Sequence, residues 1–101
     1  MQLTHPRDAV TVYYRSRPLT LAAGLTPLEA FSGPIANAAS RNGGRDIGVV
    51  HNLTPRNGVT VLPASGDVGA QYTPAVGWAQ SVVYHTSVLE NPEWNQAIAV
   101  A

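Results

Sequence analysis

The chain has 101 residues and zero net charge, from six acidic groups and six arginines, with no lysine and no cysteine. That length supports one small domain and excludes a second, while the charge balance excludes an electrostatic pull on nucleic acid or an anionic membrane. Missing lysine and cysteine exclude Schiff bases, disulfides, thiolate nucleophiles and cysteine-ligated metals. Hydrophobic residues make up 45% and charged residues 12% of the chain, against a usual charged share of about 25%, which suggests surfaces meant to be covered. The longest apolar run is about five residues, far short of the roughly 20 needed to cross a bilayer. Met1–Asp8 lacks the apolar segment of a secretory signal, so a cytoplasmic location is expected.

Residues 1–9 are polar around Pro6 and read as a leading segment without structure of its own. Val10–Arg15 has strand-like composition. Ser16 and Pro18 then open a short helix over Leu19, Leu21 and Ala22, with Gly24 as its stop. Thr26-Pro27-Leu28-Glu29 is a capping box, which predicts a helix through Ala30 and Phe31. Gly33-Pro34 bends or ends it, with a second short piece expected from Ile35 to Ala39. Asn37–Asp46 reads as a surface loop, Ile47–Val50 as a short apolar piece, and His51–Gly58 as another polar loop with an Asn57-Gly58 turn.

The stretch Val59–Val83 organises the rest. Val59-Thr60-Val61-Leu62 reads as a strand buried on both faces, ended by Pro63. A glycine-bearing loop runs to Gln71. A helix is then predicted over about 73–86, with Thr73 as N-cap, Pro74 at its first position and one apolar stripe of Ala75, Val76, Ala79, Val82 and Val83. His85–Asn95 reads as a connection, and Ala97–Ala101 as a strand that stops midway. Strand, helix and strand make a right-handed βαβ crossover with parallel strands. The predicted class is therefore α/β: N-terminal helices followed by a βαβ unit of a parallel sheet, in one partial domain over 1–101. A ligand would sit at the loop between strand and helix.

The residues taken singly leave ordinary readings open. Tyr14 and Arg15 suit a helix-entry aromatic and a solvated arginine; Ser65–Gly69 suits a plain strand-to-helix turn. Asp67 has no histidine within sequence reach and reads as a loop residue rather than a general base. His51 lies in a loop that could approach a substrate, His5 and His85 read as surface residues, and no spacing supports zinc. Trp78, on the helix flank, and Trp94, before the last strand, read as packing residues.

Taken together, Tyr13-Tyr14-Arg15, Gly24-Leu25-Thr26-Pro27, Gly43-Gly44-Arg45-Asp46, Ser65–Gln71 and Ala75-Val76-Gly77 resemble, in order and spacing, the α-type E1 component of thiamine-diphosphate-dependent 2-oxo acid dehydrogenases. The branched-chain (2-oxoisovalerate) type looks nearest. The resemblance runs from about Asp8 to Ala101 and implies the N-terminal fragment of a longer subunit, a partial thiamine-diphosphate-binding fold truncated at the second βαβ strand. The implied activity is that of an oxidoreductase, decarboxylating a branched-chain or related 2-oxo acid on thiamine diphosphate and passing the acyl group to a lipoyl carrier. The same resemblance implies Tyr14 and Arg15 at the cofactor's diphosphate and Ser65, Gly66 and Val68 near its aminopyrimidine. It also implies a monovalent cation at Ser65, Asp67 and Gln71, although Ala70 stands where some members have threonine. No catalytic residue falls in this stretch. In the family the Mg²⁺ motif, Gly-Asp-Gly followed by Asn, and an active-site histidine come further on, and the activating glutamate belongs to a β-type chain or half. Expected partners are that E1 β-type chain and a lipoyl-bearing E2, and the isolated chain is expected to be inactive. The competing expectation is a non-catalytic binding or assembly module docking on a partner chain.

Overall fold

Asp8-Ala9-Val10-Thr11 forms β1, and all four of its residues are buried. The computed structural model describes residues 5–41, 43–45, 53, 55–56, 58–63 and 66–101. After β1 come α1 (Arg17–Ala22), α2 (Pro27–Ser32), β2 (Val59–Leu62), α3 (Tyr72–Ser87), a 3₁₀ turn at Pro92–Trp94 and β3 (Ala99–Val100). This is a mixed α/β chain with an all-parallel sheet in the order β2-β1-β3. Register runs Asp8↔Val59 to Thr11↔Leu62 on one side of β1, and Ala9↔Ala99, Val10↔Val100 on the other.

Two expectations about the chain's start and topology are corrected here. Residues 8 and 9 belong to the central strand rather than to an unstructured leader. β2 and β3 do lie parallel with α3 between them in sequence, but β1 sits between them in space. The reason is Asp8. Its carboxylate, 4% exposed, accepts hydrogen bonds from the Ile98 N–H (3.0 Å) and the His5 N–H (3.1 Å), so a residue that reads as polar in sequence is satisfied inside the sheet. Ala9 N–H donates to the Ile98 carbonyl at 3.0 Å alongside it.

The core joins Val10, Val59 and Val61 of the strands and Val12 just after β1 to Ala23, Leu25 and Ala30 of the helical segment, with Tyr14 and Leu19 packed against it. Apolar residues on both faces of the strands are what a covered parallel sheet requires. Leu53, 2% exposed, completes this core through a pair of 3.0 Å backbone hydrogen bonds with Val61. The polar loop expected over 51–58 therefore contains a core residue, while Ile47–Val50 and His51 lie outside the described residues.

Locally encoded features appear as expected. Gly24 (φ 101°) follows α1, whose N-cap is Ser16, although the Ser16 hydroxyl accepts from Tyr13 N–H instead of capping the helix. At α2 the Thr26 hydroxyl accepts from Glu29 N–H, and the Glu29 carboxylate accepts from Thr26 N–H at 2.9 Å. Arg56 grips the same carboxylate with both terminal nitrogens at 2.8 Å, and one of them also donates to the Gly24 carbonyl. Beyond Ser32 the expected helical piece at 35–39 is absent, replaced by turns in which Ala36 takes φ 54°. Gly44 closes over that turn: a Cβ there would lie 2.6 Å from the Ala36 carbonyl oxygen, so no side chain fits.

α3 begins one residue early, with Gln71 rather than Thr73 as N-cap. Its buried flank carries Ala75, Trp78 and Val82, whereas Val76 and Val83 from the predicted stripe are 57% and 61% exposed. Trp78 Nε1 donates to the Arg7 carbonyl at 2.9 Å, and its ring lies 5.6 Å from that of Trp94. His85, expected at the surface, instead stacks on Trp94 at 4.2 Å with the planes 4° apart. Arg7 lies over the same indole and pairs with Glu93 at 2.8 Å. Both tryptophans thus act as packing residues, and this cluster ties α3 to the amino edge of the sheet.

Two outcomes follow. Asp8→Ala leaves two part-buried N–H groups without their acceptor and should cost about 1–3 kcal/mol in urea unfolding; a loss within error of zero removes Asp8 from its anchoring role. Glu29 is held well below the usual carboxylate range, first by Arg56 and then by the Thr26 N–H. Because its folded-state pKa is depressed, its stabilisation is complete above the ordinary value of about 4.3 and is lost as pH falls below it. Melting temperature against pH should therefore fall less steeply below that value in Glu29→Gln than in the wild type.

Candidate functional site

β1 and β2 are parallel neighbours paired through Thr11↔Leu62, so the segments that follow them, Val12–Ser16 and Pro63–Gln71, leave the same edge of the sheet. That edge is where α/β proteins form their crevices. The first segment turns at once: Ser16 N–H donates to the Tyr13 carbonyl at 2.8 Å. The turn leaves Tyr14 half-buried against the core and Arg15 exposed.

The two tyrosine rings lie 4.1 Å apart, tilted by 52°. Arg15 donates to the Tyr14 hydroxyl from Nε at 2.8 Å and from Nη2 at 2.5 Å, with its guanidinium 4.9 Å from the Tyr14 ring and 5.8 Å from that of Tyr13. Hydrogen bonding from Tyr13, and next from Arg15, holds the Tyr14 hydroxyl below its ordinary range. Tyr13 is pushed up, chiefly by its hydrogen bond with Tyr14. Arg15 is raised further, first by the same phenol. The result is a fixed, exposed cation backed by aromatic faces, an arrangement suited to phosphate or carboxylate oxygens.

The second segment is exposed at Gly66, Asp67 and Val68, and Val68 shows 84% of its surface. Gly69 (φ 90°) makes the turn that lets Tyr72 N–H reach the Gly69 carbonyl at 3.2 Å and the chain enter α3. No acidic residue occupies the first turn of α3, so the positive end of its dipole is not offset there. Gln71 buries its side-chain oxygen without a hydrogen-bond partner among the described residues.

Of the residues singled out in the sequence, Tyr14, Arg15, Gly66, Val68, Asp67 and Gln71 lie in the two segments at this edge, and Ser65 lies outside the described residues. Among the described residues no group of three or more His, Cys, Asp or Glu could hold a metal ion. His5 is engaged locally, its Nδ1 accepting from Arg7 N–H at 3.1 Å. Among the described residues no helix is long and apolar enough to cross a membrane. Sequence reasoning missed the outward apolar face of α3. Its signal was present, since no charged residue occurs between Asp67 and Glu90.

Comparison with protein families, with curated proteins and with solved structures finds no match for this chain. The class that stands is the mixed α/β one, with its three-stranded parallel sheet.

In a pH titration followed by NMR of the tyrosine rings, Tyr14 should ionise before Tyr13, and Arg15→Gln should move Tyr14 upward. Indistinguishable titrations of the two near the ordinary value of about 10 would contradict the coupled arrangement.

Proposed function

We propose that this chain is a thiamine-diphosphate-binding unit of the α-type E1 kind, an N-terminal piece whose full context decarboxylates a 2-oxo acid. The observation that supports the reading most is the pairing of β1 with β2, which sends Tyr14-Arg15 and the 63–71 loop out of one sheet edge. These are the two segments the resemblance assigns to opposite ends of one cofactor. When bound, thiamine diphosphate supplies the carbanion and the electron sink of the decarboxylation. Arg15 would neutralise the diphosphate with the guanidinium face not engaged by Tyr14, and Tyr14 would hold that guanidinium in place. The loop at Ser65, Gly66 and Val68 would meet the aminopyrimidine with backbone groups and one apolar side chain. Asp67 and Gln71, with Ser65, would hold a monovalent cation. The Mg²⁺ ligands and the activating glutamate are proposed to come from other residues, the glutamate from a β-type partner, with a lipoyl-bearing E2 as acyl acceptor in the cytoplasm.

A second reading, a non-catalytic assembly module, is favoured by the outward faces of α2 and α3. Leu28, Phe31 and Ile35 are each more than 70% exposed, and such a patch on a small domain marks a contact surface.

Titrating the ¹⁵N-labelled chain with thiamine diphosphate separates the two. The chain should bind only weakly, at roughly millimolar concentration, with shifts appearing together at Tyr14-Arg15 and at Gly66–Gln71. Unphosphorylated thiamine should leave Arg15 unmoved. Shifts confined to one cluster, or none, would count against the thiamine reading.

A further inference from the structure

All six cationic side chains of this chain are arginines, and most of those described are committed to acceptors within the fold. Arg7 pairs with Glu93, Arg41 and Arg56 pair with Glu29, and Arg17 donates to the Ala30 carbonyl at 2.8 Å. Arg15 differs. Among the described residues it pairs with no carboxylate, and its Nε and Nη2 both donate to the Tyr14 hydroxyl oxygen, at 2.8 and 2.5 Å, in bonds that lie exposed. Its Nη1 end is not engaged by that phenol. A cation fixed on a phenol favours the phenolate, which is the nucleophilic form. Accordingly the Tyr14 hydroxyl is held below its ordinary range by hydrogen bonding from Tyr13 and then from Arg15, while the Tyr13 hydroxyl is pushed up, chiefly by Tyr14. No side-chain amine or thiol competes, because the chain has no lysine and no cysteine.

We infer that Tyr14 is a nucleophile for acyl transfer, accepting the acyl group of an acyl phosphate whose phosphate end is met by Arg15. The Tyr14 hydroxyl oxygen attacks the carbonyl carbon and forms a phenyl ester. The bond from that carbon to the phosphate oxygen breaks, its electron pair leaves with the phosphate, and the phenol proton passes to solvent. Nothing is oxidised or reduced. A phosphate leaving group suits the site better than a neutral one, because a guanidinium gives it charge-assisted hydrogen bonds and stabilises the charge that it carries away. The inference does not rest on thiamine binding, although both ligands would compete for Arg15. Acylation of Tyr14 in a chain that binds no thiamine diphosphate would retain it and defeat the cofactor reading; binding without acylation would do the reverse.

Brief exposure of the 101-residue chain to acetyl phosphate at about pH 8, followed by mass-spectrometric mapping of acetyl groups, tests it. Tyr72 and Tyr84 are 59% and 53% exposed whereas Tyr14 is half-buried, so accessibility alone would label those two first. Tyr14 should instead acquire acetyl about tenfold faster than either. Inorganic phosphate should slow Tyr14 and leave Tyr72 unchanged. Arg15→Gln should bring Tyr14 down to the rate of Tyr72, with unaltered circular dichroism and unaltered rates at Tyr72 and Tyr84 showing that the fold is kept. Should that variant lose its fold, protection of wild-type Tyr14 by inorganic phosphate decides the matter alone. Labelling that follows exposure, phosphoryl in place of acetyl on Tyr14, indifference to inorganic phosphate, or an unaffected folded Arg15→Gln chain would each overturn the inference.

Discussion

Two backbone N–H groups end on the carboxylate of Asp8, one from the turn before it and one from Ile98. This is the constraint that the remainder of the molecule depends on. Strand β1 has neighbours on both sides, so its position fixes those of β2 and β3. A carboxylate buried to 4% exposure is tolerated only when its lone pairs are used. Here they hold the approach to β3 beside the amino end of β1. The same strand delivers Tyr14 and Arg15 to the edge where the 63–71 loop also emerges, so the arrangement of the candidate site is inherited from the sheet.

What could be read in the sequence was whatever is decided within a few residues. The capping box spans Thr26 to Glu29, and the structure reproduces both of its hydrogen bonds. β2 is an apolar tetrapeptide ended by proline, and its bounds at Val59 and Leu62 agree with the prediction. What could not be read depends on partners far along the chain. Asp8 looks like a surface residue until Ile98, 90 positions later, supplies its donor. His85 looks exposed until Trp94 lies flat against it. Leu53 looks like part of a polar loop until Val61 pairs with it. The helical piece expected beyond Gly33 gives way to a turn that Gly44 closes from outside.

The candidate site was legible in part for the same reason. Tyr14 and Arg15 are adjacent in sequence and interact directly, so their composition already describes an anion-seeking pair. Which segment faces them depends on the strand order, and the expected βαβ unit left β1 out of the sheet altogether. The α3 stripe was misjudged because the helix is apolar on two sides. Trp78 and Val82 face the sheet side, while Val76 and Val83 face outward, and a periodicity argument alone cannot tell which side the sheet will take.

The junction between β1 and β3 also governs how the chain acquires its structure. Ala9 and Ala99 are paired, so one flank of the central strand is satisfied only by residues 90 positions further along the chain. Helices α1 and α2 are closed by bonds a few residues long, but at six residues each they depend on packing against the core to persist. The β1–β3 pairing, by contrast, closes a long loop, a non-local contact of the kind that slows folding. Until that pairing forms, this flank of β1 presents unpaired backbone amide and carbonyl groups, the kind of open strand edge that invites pairing with another chain.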